Sequence, residues 1–423
     1  MKILVVGSGG REHSLCWAVS ASPLCDKLYC APGNPGIANH ATCIPIRSTD
    51  IDSLINFSIK NEINFVIIGS EAPLVMGLAD ELKKAGISAF GPSAAAAQLE
   101  GSKAFMKELL HKSDVPTAKY ERFSNPNLAK DYINREGTPI VIKTDGLAAG
   151  KGVFICNTIE DAYEAIQTLM IEKVFGDAGK EIIIEEFLEG EEASFFVLVD
   201  GNNCLPMSSA QDHKTVGEGD TGPNTGGMGA YSPAPIMTKD ITNQVMEEII
   251  KPTVQKLQSM GTPYVGVLFA GLMITKDGPK ILEYNIRFGD PECQVLMRRL
   301  QSDILPALIA TAEGELGGFS IQWHDSKAIV VVMASSGYPG DYKKGYEINN
   351  IALAKNIKTV EVFHAGTKMN NKKLITDGGR VLNITAIANT LEEAKNRAYE
   401  AAQSVTWKGS FYRKDIGWRA LKK

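Results

Sequence analysis

The sequence predicts an α/β protein that opens with a parallel sheet flanked by helices. Three observations lead there. Apolar runs of strand length stand at Lys2–Val6, Leu28–Ala31 and Phe65–Ile68. Each closes on a loop rich in glycine or proline: Gly7-Ser8-Gly9-Gly10, Pro32-Gly33-Asn34-Pro35-Gly36 and Gly69-Ser70-Glu71-Ala72-Pro73. Helical stretches, Glu12–Ser20 and Leu74–Ala85, alternate with them, and a short strand near Ala89-Phe90 completes the set. Strands separated by helices imply crossover connections and parallel pairing. Ligands of such sheets gather beyond the carboxyl ends of the strands, where all three loops lie.

From Gly101 the pattern changes. Ser102–Lys112 reads as a helix. Pro139–Ile142 is a strand that ends in Lys143 and runs into a glycine-rich loop, Asp145–Gly152. A strand at Val153–Cys156 and a helix at Ile159–Ile171 follow. Glu181–Phe187 and Ala193–Val199 read as strands around the turn Leu188–Glu192. Gln211–Gly229 reads as a long polar loop with little to pack, and loops of that kind are often functional. A helix over about Asn243–Ser259 leads to paired strands, Val265–Ile274 and Lys280–Tyr284. Ala328–Ser335 begins a last region of strands and turns, with a helix near Leu391–Gln403. Domains run to roughly 100–200 residues. The changes of pattern therefore divide the chain of 423 residues into 1–101, 102–325 and 326–423.

Composition narrows the function. The hydrophobic share of 44% and charged share of 22% are those of a globular protein. A net charge of −5 leaves no electrostatic footprint for nucleic acid, although a local basic pocket for a small anion stays open. No run of about 18 apolar residues suggests a membrane span. Met1–Gly7 reads straight into a strand and a turn, without a signal-peptide cleavage pattern. Seven scattered cysteines, none spaced Cys-x-x-Cys, point to reduced thiols in a cytoplasm rather than to a zinc site. Cys25 and Cys30 read as small buried thiols.

Four groups of residues could carry chemistry. Glu283 and Asn285 are two apart on a strand, so both side chains leave the same face. A carboxylate with an amide oxygen suits Mg²⁺, which takes hard oxygen ligands and shares them with phosphates. Alone, such a pair is more often a solvated strand end, but Arg287, Asp290 and Glu292 crowd the next residues. Lys143 ends an apolar strand, where a lysine is costly to desolvate unless it meets an anion. Gly146, Gly150 and Gly152, around Lys151, would let backbone N–H groups approach phosphate oxygens. This is not a P-loop, because Gly152 stands where Ser or Thr would follow Lys151. In Glu185–Glu192, backbone groups of Glu186 and Leu188 could read an adenine edge while a carboxylate takes the ribose. An isolated acidic hairpin is more often only solvated. Gly7–Gly10 is no dinucleotide fingerprint: Glu12 replaces the required glycine, and the second strand ends in Ala31-Pro32-Gly33 without an acidic residue. A helix N-terminus for one phosphate remains, with Arg11 beside it. In the long loop, Asp212 could hold a substrate ammonium, and His213 reads as a hydrogen-bonding residue rather than a base.

Strand-borne Lys143, the glycine loop, the hinge at Glu186–Leu188 and the pair Glu283/Asn285 come in the order found in ATP-grasp enzymes, which the chain resembles. More specifically it resembles the glycinamide ribonucleotide synthetase family. The matching stretches are Gly9–His13, Ala31–Gly36, Gly101–Phe105, Asp145–Gly152, Gly222–Tyr231, Arg287–Glu292 and Gly337–Gly340. They span nearly the whole chain, and Pro223–Tyr231 and Arg287–Glu292 are the most specific. Ser70 and Ile286 stand where that family usually has proline, and Val265–Ile274 lacks the further metal carboxylate of many ATP-grasp enzymes.

The resemblance implies a Rossmann-like first domain, an ATP-grasp core with a mobile lid at about 115–190, and a small β-rich last domain. It implies that glycine, 5-phosphoribosylamine and ATP become glycinamide ribonucleotide, ADP and phosphate in purine biosynthesis. Mg²⁺ or Mn²⁺ would sit on Glu283 and Asn285. Lys103, Lys143 and the loop with Gly150, Lys151 and Gly152 would bind phosphates. Glu186 and Leu188 would meet the adenine, and Glu192 the ribose, with Glu191 as the alternative register. Arg287, Asp212 and Lys214 would act at the reacting glycine. Gly9, Gly10, Arg11, Asn34, Glu71 and Asp290 would hold phosphoribosylamine. A monomer without nucleic-acid or membrane partners is expected. The rival is another ATP-grasp carboxylate–amine ligase. A nicotinamide oxidoreductase is disfavoured by Glu12, and an inert binding module by the candidate residues standing at every motif.

Overall fold

A computed structural model describes residues 1–146 and 152–422. It is the α/β protein that the apolar runs predict. The first sheet has five parallel strands in the order Thr42–Cys43, Lys27–Pro32, Lys2–Gly7, Phe65–Ile68, Ser88–Phe90. The chain thus starts at the centre and winds outward to both sides. Ile3, Leu4, Val5 and Val6 are fully buried, because a central parallel strand is covered on both faces. Two elements here escaped the sequence reading, the edge strand Thr42–Cys43 and the helix Ile51–Lys60, which Asp50 caps by accepting the Ser53 N–H. The stretch expected as one helix, Leu74–Ala85, is two, Glu71–Val75 and Leu78–Lys84. Gly77 breaks it with φ +89°, a conformation costly for any residue with a Cβ.

A second, antiparallel sheet has the order Tyr120–Phe123, Ile182–Glu186, Ile140–Thr144, Val153–Cys156. Helices Pro126–Glu136 and Ile159–Ile166 cover it, the latter running on through a wider turn at Gln167–Ile171. Its core is its own: Ile133, Ile140, Ile142, Ile166 and Ile184 pack together, apart from the larger cores. A third sheet orders Cys204–Pro206, Glu191–Asp200, Val265–Thr275 and Gly278–Asn285. Glu191 and Glu192 are therefore strand residues and not part of the turn. This sheet shares one core with the first, from Leu4 and Val66 to Leu268 and Tyr284.

The last sheet corrects the reading of Gln211–Gly229. Far from a loop with little to pack, the segment pairs Gln211–Asp212 with Gly229–Ser232, which continues onto Lys327–Ser335, Arg380–Ala388 and Val360–His364. Between them stands a hairpin, Thr215–Gly217 with Thr221–Asn224. Gln211, His213 and Met228 are fully buried. The helix Leu391–Ser404 covers the sheet with Ala394, Ala398, Ala401 and Ala402, whose small side chains allow close approach. Among the described residues no helix is long and apolar enough to cross a membrane.

Candidate active site

The strand Gly278–Asn285 ends at a cavity of about 1150 Å³ lined by all three domains. Strand alternation turns Glu283 and Asn285 into it together. Opposite Glu283 in the ladder is Gly271, where a Cβ would lie 3.2 Å from the Glu283 Cγ, so the glycine gives the carboxylate its room. Burial works against ionisation of Glu283, but Lys214, Lys143 and Lys103 outweigh it and hold the carboxyl below its ordinary range. An ionised carboxylate and an amide oxygen fit a hard divalent cation. Among the described residues no cluster of three or more His, Cys, Asp or Glu groups is shaped for a metal. The protein would thus supply two ligands and leave the remaining positions to phosphate oxygens and water.

Lys143 does meet an anion, and the anion is part of the protein. Its Nζ lies 2.8 Å from Glu185 Oε2, while Glu185 Oε1 lies 3.1 Å from the Nζ of Lys107. Burial alone would raise the Glu185 carboxyl, but the two lysines hold it down. Burial pushes Lys107 down to about 8. Neither Lys107 nor Glu185 stood out in the sequence, since only the closing of one sheet onto the helix Lys103–His111 buries them. Lys103 donates to the carbonyl of Gly146 at 3.1 Å. Asp145 accepts from Ser102 Oγ at 3.1 Å and Ala104 N at 2.7 Å, fastening the start of the glycine loop to that helix. Gly152 lines the cavity. Gly150 and Lys151 lie outside the described residues.

Apolar walls close the far end, with Val141 and Ile155 on one sheet and Met273 and Leu282 on the other. Glu186 is tied down there: its N–H donates to the Lys119 carbonyl and its Oε1 accepts the Lys119 N–H, both at 3.0 Å. Leu188 also lines this end, and no acceptor among the described residues meets its N–H. Glu192 pairs with Lys214 at 2.8 Å, and Glu191 accepts from Gln211 at 3.2 Å.

At the near end Asp212 stands beside Lys214. Burial, with the neighbouring Glu292, Glu192 and Glu283, pushes its carboxyl up to about 8, although Lys214 opposes this. Arg287 lies between Glu71, 3.4 Å away, and Glu100, 3.1 Å away. Glu100 also accepts the Ile286 N–H at 2.8 Å, a role its sequence position did not signal. Asp290 accepts from Gln294 at 2.8 Å and lies 3.5 Å from Arg380, which itself donates to the carbonyls of Asp290, Gly226 and Gly227. Arg380, Tyr338 and Trp418 bring the last domain to the cavity, and all three were missed.

The residues expected at the loops of the first sheet divide between the cavity and its surroundings. Arg11, Glu71 and Asp290 line the cavity, whereas Gly9, Gly10 and Asn34 are absent from its lining. Glu12, almost fully buried, explains part of this. Its Oε2 accepts the Gly9 N–H at 2.6 Å and its Oε1 the Arg11 Nε at 2.6 Å. The protein's own carboxylate thus takes the N–H of the residue that opens this helix. Asn34 is likewise committed: its amide donates to Ser8 and His364 carbonyls, both at 2.9 Å, and its oxygen accepts from Gly36 and Ile37. It ties the second loop to the last domain.

Glu71 gives a pH test. Burial alone would raise its carboxyl, but Arg287 and then Arg11 hold it down at about 2. A lowered folded-state value stabilises the fold above the ordinary value of 4.5 and loses that contribution as pH falls toward 2. Denaturation of wild type and Glu71→Gln should show a constant stability gap above pH 4.5 that closes by pH 2. A gap independent of pH would mean that the charge of Glu71 is not what matters.

Comparison with known proteins bears on the whole chain. Three family models match: phosphoribosylglycinamide synthetase, N domain, over residues 1–100; its ATP-grasp (A) domain over 101–293; and its C domain over 328–419. The chain belongs to the phosphoribosylglycinamide synthetase family. The phosphoribosylamine–glycine ligase of Brucella melitensis is 54% identical over 423 residues, covering 100% of this chain and 99% of that one. The crystal structure of phosphoribosylamine–glycine ligase from Thermotoga maritima superimposes with a TM-score of 0.87 at 32% identity, covering 99% of this chain and 100% of that one. A biotin carboxylase from Campylobacter jejuni, at 15% identity and a TM-score of 0.74 over 100% of this chain and 95% of that one, is alike in fold alone. The family resemblance carried by the motifs is borne out.

Proposed function

We propose that the chain joins glycine to 5-phosphoribosylamine at the expense of ATP, through glycyl phosphate. One observation carries this reading. A single cavity holds an ionised carboxylate–amide pair, buried lysines at one end and paired acidic and arginine side chains at the other. Glycine's carboxylate is a poor acyl donor, because its oxygen leaves badly. Its oxygen attacks the γ-phosphorus, the bond to ADP breaks, and phosphate becomes the leaving group. The amine of phosphoribosylamine then attacks the carbonyl carbon, phosphate departs, and the amide forms with loss of a proton. The protein mainly positions groups and stabilises charge.

Lys103 and Lys143 receive the phosphates of ATP. Glu186 and Leu188 frame the adenine among Val141, Ile155 and Leu282, and Glu192 or Glu191 takes the ribose. Mg²⁺ or Mn²⁺ held by Glu283 and Asn285 would screen the negative charge gathered on the transferring phosphoryl group. Asp212, crowded by other carboxylates that Lys214 only partly offsets, gains a further countercharge from the ammonium of glycine. Arg287, braced by Glu71 and Glu100, faces the reacting carboxylate. Arg11, Glu71 and Asp290 form the wall for phosphoribosylamine. The sheet from Tyr120 to Glu186 acts as a lid that keeps water from glycyl phosphate. All seven cysteines are unpaired, which supports a reducing compartment such as the cytoplasm, and the working unit is a monomer. ADP formation, measured with glycine and phosphoribosylamine each omitted in turn, tests the reading. Release should need both. Equal release with bicarbonate or another acid in place of glycine would move the chain to a different ligase.

A further inference from the structure

The segment that carries Asp212 and Lys214, between the strands Gln211–Asp212 and Thr215–Gly217, has a back as well as a front. Both side chains line the cavity. His213 between them is absent from that lining and is fully buried on the other side. Its Nε2 accepts the Gly417 N–H at 2.9 Å. The hairpin that follows is held by the same C-terminal stretch. Asp220, at φ +59°, accepts from Arg413 at 3.0 Å on one oxygen and from Arg419 at 2.6 Å on the other. Arg413, almost fully buried, also donates to the carbonyl and hydroxyl of Thr215, at 3.0 and 2.9 Å. Asp415 accepts the Gly219 N–H at 2.8 Å. Little else grips this hairpin, because Glu218–Thr221 is solvent-facing and buries no side chain in a core.

We propose that residues 413–419 are a positioning brace for Asp212 and Lys214. The brace grips His213 and Asp220 from behind and thereby fixes where the two groups at the front meet glycine. None of His213, Asp220 or Arg413 lines the cavity, so these are positioning residues and not catalytic ones, whereas Trp418 and Arg419 at the end of the stretch do line it, and Arg419 reaches Asp220 from there. The inference rests on the function proposed above for Asp212. A displacement of well under an ångström in a group that must meet an ammonium weakens the contact steeply, whereas ATP is held by other elements.

Steady-state kinetics of full-length wild type, Asp220→Asn and Arg413→Lys separate the possibilities, with melting temperatures recorded for each. Asp220→Asn keeps the shape and removes the charge that both arginines hold. KM for glycine should rise roughly tenfold, the loss expected for one charge-assisted hydrogen bond. KM for ATP should stay within about twofold, because uniform binding is lost for one substrate only. Arg413→Lys, which keeps a cation, should fall between wild type and Asp220→Asn. Unchanged KM for glycine in Asp220→Asn overturns the brace. So does a fall in kcat alone, in step with a lower melting temperature, since that marks a merely structural role. Should Asp220→Asn melt below the assay temperature, Arg413→Lys decides by the same two readouts. A wild type without glycine-dependent ADP release overturns the proposed function itself. A ligating wild type with an indifferent Asp220→Asn overturns only the brace.

Discussion

Glu283→Gln should lower kcat by roughly a thousandfold, which corresponds to about 4 kcal/mol of lost transition-state stabilisation. Glutamine keeps the length and one oxygen, so the change is close to pure charge. Two things fail at once. A cation held by Glu283 and Asn285 would lose the anionic one of the pair, since Asn285 offers a neutral amide. Lys214, 3.8 Å from Glu283, loses a countercharge and is drawn toward Glu192 at 2.8 Å. ADP formation followed over a range of Mg²⁺ concentrations reads both effects. Part of the deficit should be recovered at high Mg²⁺, because a weakened site can still be filled by mass action. Near-normal turnover at moderate Mg²⁺ would remove Glu283 from the reaction.

Arg287→Met should cost about 3 kcal/mol of stability and abolish measurable ligation. The stability figure is at the low end for breaking a buried ion pair, because Glu71 remains 32% exposed and can still be hydrated. Glu100 is the harder case. It is 11% exposed, and burial already raises its carboxyl even with Arg287 in place. With Arg287 gone Glu100 loses its nearest countercharge, and Arg11, 3.9 Å from Glu71, is left to offset both carboxylates, so proton uptake by Glu100 is favoured further. Chemical denaturation of Arg287→Met, Glu100→Gln and the double variant forms a cycle that isolates the pair. Removing both partners should cost less than removing Arg287 alone. If the two single losses simply add, Glu100 and Arg287 are not coupled and the arginine is held by something else.

The parts of the molecule legible in the sequence are those whose pattern is local. Ile3–Val6 and Phe65–Ile68 announce buried parallel strands by unbroken apolar runs, and the loops after them by glycine and proline. Glu283 and Asn285 announce a shared face by a spacing of two. What stayed hidden depends on partners far along the chain. Gln211 and His213 look like loop residues because they are polar, and only the pairing of Asp212 with Ala230, and of Gly229 with Val331, makes their burial affordable. Gln211 then spends its amide on the Glu192 carbonyl at 2.7 Å. Glu12 was legible as the residue that spoils a dinucleotide fingerprint. That it caps its own helix by accepting the Gly9 N–H follows only from the space beside Gly7 and Gly69. A Cβ at either position would come within 2.5 Å of the Glu12 side chain. The role of Asn34 as a tie was hidden in the same way: its amide in a glycine loop donates to a carbonyl at His364, 330 positions away.

The separate core of the sheet from Tyr120 to Glu186 has a consequence for how the protein tolerates change. Ile133, Ile142 and Ile184 pack within that sheet and its two helices and hardly touch the rest of the molecule. The unit can therefore loosen without global unfolding, as a locally cooperative segment with its own opening equilibrium. A methyl group lost from Ile184 would barely register in a melting curve dominated by the larger cores. It would register as nucleotide affinity, since ATP binds only the fraction of molecules in which this segment is ordered. Substitutions inside it should therefore show first as weaker nucleotide binding and only later as a lower melting temperature.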